Sequence, residues 1–133
     1  MVEKPPVVGI INTSPDTVEM LRIVLEQAGF VVVTAYTHEL RALQVDIESI
    51  VRQYQPKLII YDIAPPYEKN WREFITTSCM PALKGINFIV TTTNAKHVKD
   101  VAGQDRQVFE IGGKPYDLDI LVEAVKEAAG VKS

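Results

Sequence analysis

Asp62 is the residue of this chain best placed to do chemistry. It closes the apolar run Leu58-Ile59-Ile60-Tyr61 and is followed by Ile63-Ala64-Pro65-Pro66. A run that short and β-rich reads as a buried strand. A carboxylate at the C-terminal end of such a strand stands where open parallel sheets hold their ligands. There it can act as a nucleophile or as a metal ligand. The plainer reading is a strand-end aspartate that starts a turn. Other polar residues stand at equivalent places: Asn12 and Thr13 after the first apolar run, Thr92 after the fourth, and Lys114-Pro115 after the fifth. In a parallel sheet those ends converge on one edge. Asp62 could then accept a phosphoryl group, and the hydroxyl and the ammonium could bind its oxygens.

The elements that must position these residues alternate. Val7 to Ile11 reads as a buried strand, and Ser14-Pro15 supplies an N-cap and a first-turn proline. Val18, Leu21, Leu25 and Ala28 recur at helical spacing up to the stop at Gly29. Phe30 to Ala35 is the second strand. Leu43, Ile47, Ile50, Val51 and Tyr54 predict one helix, ended by Pro56. After the Asp62 strand, Trp71, Phe74 and Ile75 mark a third helix that Pro81 ends or kinks. Ile86 to Thr91 is the fourth strand, Val98 to Ala102 a short helix, and Val108 to Ile111 the fifth strand. Asp117 caps a last helix with Leu118, Leu121, Val122 and Val125 inward, closed by Gly130. Five strands alternating with five helices imply an α/β, flavodoxin-like, doubly wound parallel sheet of order 2-1-3-4-5, covered on both faces.

Length and composition set the bounds. At 133 residues the chain reads as a single domain, with its core from about residue 7 to 129. A formal net charge of −3 argues against direct nucleic-acid binding. The single cysteine, Cys79, forms no internal disulfide, which points to the cytoplasm, and a buried or half-buried position is expected for it. No stretch is long enough to span a membrane as a helix, and the N-terminus lacks a signal-peptide core. His38, His97 and Cys79 show no metal-ligand spacing. Trp71 is expected in the core.

The combination resembles the response-regulator receiver family, with its CheY-like fold, over residues 7 to 129. The family's phosphoacceptor matches Asp62 and its following proline matches Pro66. Its switch hydroxyl matches Thr92 and its lysine matches Lys114, at intervals of 30 and 22 positions. The resemblance implies a cis bond at Lys114-Pro115. It also implies a Mg²⁺ site made of Asp62, the backbone of Ala64 and the positions of Asn12 and Thr13.

Three departures bear on function. Asn12 and Thr13 stand where the family carries an acidic pair, so they are poor ligands for a hard cation. Asp16 is a weaker candidate, through water. Ile111 stands where the family carries an aromatic switch residue, and neither Phe109 nor Tyr116 occupies that position. The stretch from Thr37 to Gln55 is longer than usual and is read as a longer second helix, either a docking surface or a tolerated insertion.

Mg²⁺ is therefore a doubtful cofactor, and no catalytic residue is expected. The preferred function is an atypical receiver in two-component signal transduction, with weak or no Mg²⁺-dependent phosphorylation, acting through protein–protein interaction. The alternatives are a conventional phosphoacceptor labelled at Asp62 by a histidine kinase, or a flavodoxin-like domain for a small ligand. The implied partners are a histidine kinase or other signalling protein. A homodimer could form through the fourth helix, fifth strand and fifth helix, near Val98 to Ala102 and Leu118 to Glu127. No output domain follows Ser133, so output is expected through a partner or dimerisation.

Overall fold

The computed structural model describes residues 4–111 and 115–131. The strands are β1 (Val7–Asn12), β2 (Val31–Tyr36), β3 (Leu58–Asp62), β4 (Asn87–Thr92) and β5 (Val108–Glu110). The helices are α1 (Pro15–Gln27), α2 (Thr37–Arg41), α3 (Ile47–Tyr54), α4 (Tyr67–Ser78), α5 (Ala95–Ala102) and α6 (Pro115–Ala128), with a 3₁₀ turn at Pro81–Leu83. The strands form one parallel sheet in the order β2-β1-β3-β4-β5. This is the flavodoxin-like arrangement that the alternation of elements predicts.

Strand periodicity divides the interior into two cores, because successive side chains leave a strand on opposite faces. Val8, Ile10, Leu58, Ile60 and Ile89 meet Val18, Leu21 and Leu25 of α1 and Leu121 and Val125 of α6. Ile11, Ile59, Tyr61 and Val90 instead meet Ile47 of α3, Trp71 and Phe74 of α4 and Val98 of α5. Trp71 is buried, as expected.

The largest difference from the sequence reading lies between β2 and β3. A single helix from Leu43 to Tyr54 is not formed. The segment makes two short helices, and Leu43 sits between them with φ +57° and 88% of its surface exposed. The α2 helix closes with Leu43 N–H on the Leu40 carbonyl at 3.2 Å and Gln44 N–H on the Glu39 carbonyl at 2.9 Å. That pattern needs a left-handed residue at position 43, so Leu43 cannot continue a helix. Asp46 then caps α3, accepting from Glu48 N–H at 3.1 Å.

Smaller corrections follow the same logic. Cys79 is exposed, because it stands at the C-cap of α4, past the helix face that packs on the sheet. Asp117 lies within the first turn of α6 rather than before it, where a carboxylate still complements the helix dipole. Ile111 lies one residue beyond β5 and donates its N–H to the Thr92 carbonyl at 2.8 Å.

Candidate functional site at the sheet edge

Asp62 ends β3 and is half-buried. Register pairs it with Thr91 on β4. Paired residues of neighbouring strands share a face, so the Thr91 hydroxyl lies beside the carboxylate and donates to Asp62 Oδ1 at 2.8 Å. Burial pushes the Asp62 carboxyl up to about 6, and the Thr91 hydrogen bond opposes the shift. By alternation Asp62 shares the face of Leu58 and Ile60, which pack toward α1 and α6.

Asn12 ends β1, one step beyond the paired Ile11 and Tyr61, and is buried. Its Oδ1 accepts the Ser14 N–H at 3.0 Å. Thr13 is exposed. Ser14 caps α1, its Oγ accepting from Thr17 N–H at 3.3 Å. Asp16 is exposed in the first turn of that helix.

The loop from β3 to α4 runs through Ala64, Pro65 and Pro66, with a cis bond between the two prolines. Its Ala64 carbonyl accepts Asn70 Nδ2–H at 2.6 Å. Asn70 Oδ1 in turn accepts from Arg41 Nη2 of α2 at 2.6 Å. Arg41 also holds Glu73, with Nε donating to Oε2 at 2.9 Å and Nη2 2.8 Å from the same oxygen.

No protein-family model matches the chain, and no curated protein does. Solved structures do match it. A signal receiver domain of a two-component histidine kinase from Clostridium thermocellum matches with TM-score 0.67 at 19% identity, covering 95% of this chain and 98% of that one. A response regulator receiver protein from Burkholderia phymatum gives 0.67 at 19%, with 96% and 98% covered. A putative pilus assembly-related protein from Burkholderia pseudomallei gives 0.61 at 14%, with 100% and 97% covered.

The chain has the receiver fold.

On this receiver framework the expected residues fall as follows. Asp62 stands at the C-terminal end of the third strand, with Asn12 and Thr13 at the end of the first. Thr92 does not meet Asp62. It is fully buried and donates to the Ile63 carbonyl at 2.7 Å, while its Oγ accepts the Asn94 N–H at 3.3 Å. The reason is parity: a shift of one residue along a strand turns a side chain to the opposite face. Thr92 shares the face of Val90, and Thr91 shares that of Ile89 and Asp62. The hydroxyl beside Asp62 is therefore Thr91's. The sequence names Thr92 as the switch hydroxyl, and the hydroxyl bonded to Asp62 in this structure is that of Thr91, placed there by the register of β3 and β4. Lys114, and with it the Lys114-Pro115 bond, lies outside the described residues.

Asn70 and Arg41 are absent from the sequence reading. Asn70 had a signal: it precedes Phe74 by four residues, which puts it on the buried face of its helix. Arg41 had none, because its role depends on the break at Leu43. Among the described residues no three His, Cys, Asp or Glu side chains group closely enough to hold a metal ion.

Proposed function

We propose that this chain is an atypical receiver in two-component signalling that works through protein–protein contacts, with weak or no Mg²⁺-dependent phosphorylation of Asp62. The supporting observation is that the oxygens expected to hold the cation already have protein donors. Ala64 O accepts from Asn70, and Asn12 Oδ1 accepts from Ser14 N–H. Thr13 adds no charge. That leaves Asp62, whose own carboxyl is held toward its neutral form by burial. Mg²⁺ demands near-octahedral oxygen ligation and is bound through carboxylates, so this donor set does not fit it.

The partner is a histidine kinase or another signalling protein rather than nucleic acid. The surface offered to it, or to a second copy of this chain, is the face of α5, β5 and α6. The output follows from which partner that face recruits.

Thr91 favours a second reading. A hydroxyl at 2.8 Å from Asp62 Oδ1 is placed to follow a phosphoryl group on that oxygen, which is what a conventional phosphoacceptor receiver requires. For the third possibility, a small-ligand domain, the Ser14 hydroxyl at the start of α1 already caps that helix.

Intact-protein mass after incubation with acetyl phosphate, with and without Mg²⁺ and beside Asp62→Asn, separates the first two readings. The expected result is little or no gain under conditions that fully label a competent receiver. A Mg²⁺-dependent gain of one phosphoryl group, lost in Asp62→Asn, establishes the second reading instead.

A further inference from the structure

The polar groups behind the Asp62 loop close on one another. Asn70 is only 8% exposed, and both ends of its amide have partners: Ala64 O at one end and Arg41 Nη2 at the other, each at 2.6 Å. Arg41 is itself fixed by Glu73. Hydrogen bonds thus run from α2, through α4, to a carbonyl two residues beyond Asp62. The α2 helix belongs to the stretch that makes the β2–β3 connection long.

We propose that Arg41 and Asn70 form a latch that holds the β3–α4 loop where a divalent cation would otherwise hold it, so that the Asp62 loop answers to α2 rather than to metal. The chemistry favours this exchange of parts. The guanidinium polarises the Asn70 amide, and a polarised amide is a stronger donor to Ala64 O. A cation drawing on that carbonyl would compete with a buried amide donor, and an unpaired buried donor is costly. The latch is geometric as well as electrostatic. Arg41 presents a planar fork to Glu73 and Asn70 together, which a lysine cannot reproduce. Arg41 is exposed and reaches the loop only through Asn70, so both are positioning residues. Any partner that lifts α2 from α4 frees the loop.

This inference rests on the proposed function only in taking the state of the Asp62 loop as what is signalled. Its test uses no phosphodonor, so the two can fail separately. In the whole chain labelled with ¹⁵N, the Asn70 side-chain amide is expected to exchange about tenfold more slowly than those of exposed asparagines. Millimolar Mg²⁺ should shift neither it nor the Ala64 backbone amide. Arg41→Ala should speed Asn70 exchange about tenfold, while backbone exchange in β1 and β3 stays as it was. Should that variant loosen the whole fold, Arg41→Lys decides. Faster Asn70 exchange with an intact sheet supports the latch, and exchange as slow as wild type overturns it. A Mg²⁺-dependent shift of Ala64 in the wild type also overturns it, as does Arg41→Ala without effect on Asn70.

Discussion

On the α1–α6 side of the sheet the buried side chains are mainly aliphatic: Val8, Ile10, Leu21, Leu25, Leu58, Ile60 and Leu121. On the side of α2 to α5 the centre is aromatic. Phe74 meets Tyr61 at 4.9 Å, Trp71 at 5.1 Å and Phe88 at 5.5 Å between ring centroids. The polar groups divide along the same line. Asp62, Thr91 and Asn12 belong to the aliphatic side, with the carboxylate set in a site that disfavours its charge. The Arg41–Asn70 chain belongs to the aromatic side and fixes the loop that follows Asp62. The acidic group and the support for its loop therefore stand on opposite faces, joined through residues 62 to 64. A change on one face should alter the charge of Asp62 and a change on the other should alter its loop, each with little effect on the other.

The largest expected effect comes from removing the charge. In the unfolded chain the Asp62 carboxyl titrates near its ordinary value of 3.8, and in the fold near 6. Well below 3.8 both states are protonated and burial carries no charge penalty. Between these values the folded state binds more protons, so stability falls as pH rises through the window. Above about 6 the penalty is complete, on the order of 2 kcal/mol once partial exposure is allowed for. Asp62→Asn lacks that penalty. Urea melts should show the variant more stable than wild type by about 2 kcal/mol at pH 7.5, with the difference shrinking as pH falls and gone by about pH 3. A difference that does not change with pH would mean that a cation, Lys114 being the expected one, already balances the carboxylate.

Two adjacent hydroxyls sharpen the division between faces. Thr91→Val removes the hydrogen bond that lowers the Asp62 carboxyl, so its titration by ¹³C NMR should move further upward. Thr92→Val should leave that titration in place. It should instead cost about 1–2 kcal/mol, because it leaves the Ile63 carbonyl and the Asn94 N–H without their shared partner. Equal movement of Asp62 in both variants would show that the two faces are coupled.

What was legible in the sequence follows from the range of each signal. All five strands are local facts of apolar runs and turn residues, their order follows from the alternation of strands and helices, and both are found where expected. Asp62 was legible because it is a charged residue closing a run of four residues that is otherwise apolar. Thr91 was obscured by Thr92 and Thr93, three identical residues that only the sheet register can tell apart. Asn70 and Arg41 lay further out of reach, since their partners are 6 and 29 positions away. The break at Leu43 was hidden because a leucine at helical spacing looks like core, whereas its backbone conformation here is one usually given to glycine.

That break yields the smallest and most local prediction. Three helices end with the same pair of backbone bonds. After α1 the left-handed residue is Gly29, after α6 it is Gly130, and after α2 it is Leu43. The first two carry no Cβ to strain. Leu43 does, and its exposed side chain buries almost nothing in return. Leu43→Gly should therefore raise stability by up to about 1 kcal/mol, with the greater freedom of glycine in the unfolded chain offsetting part of the relief. A shift of the urea midpoint to higher concentration at unchanged slope is the expected reading. The variant leaves Arg41 and Asn70 untouched, so Asp62 should titrate as before. A loss of stability would mean that the Leu43 side chain holds the corner between α2 and α3 despite its exposure. The support for the Asp62 loop would then extend beyond the hydrogen bonds of Arg41.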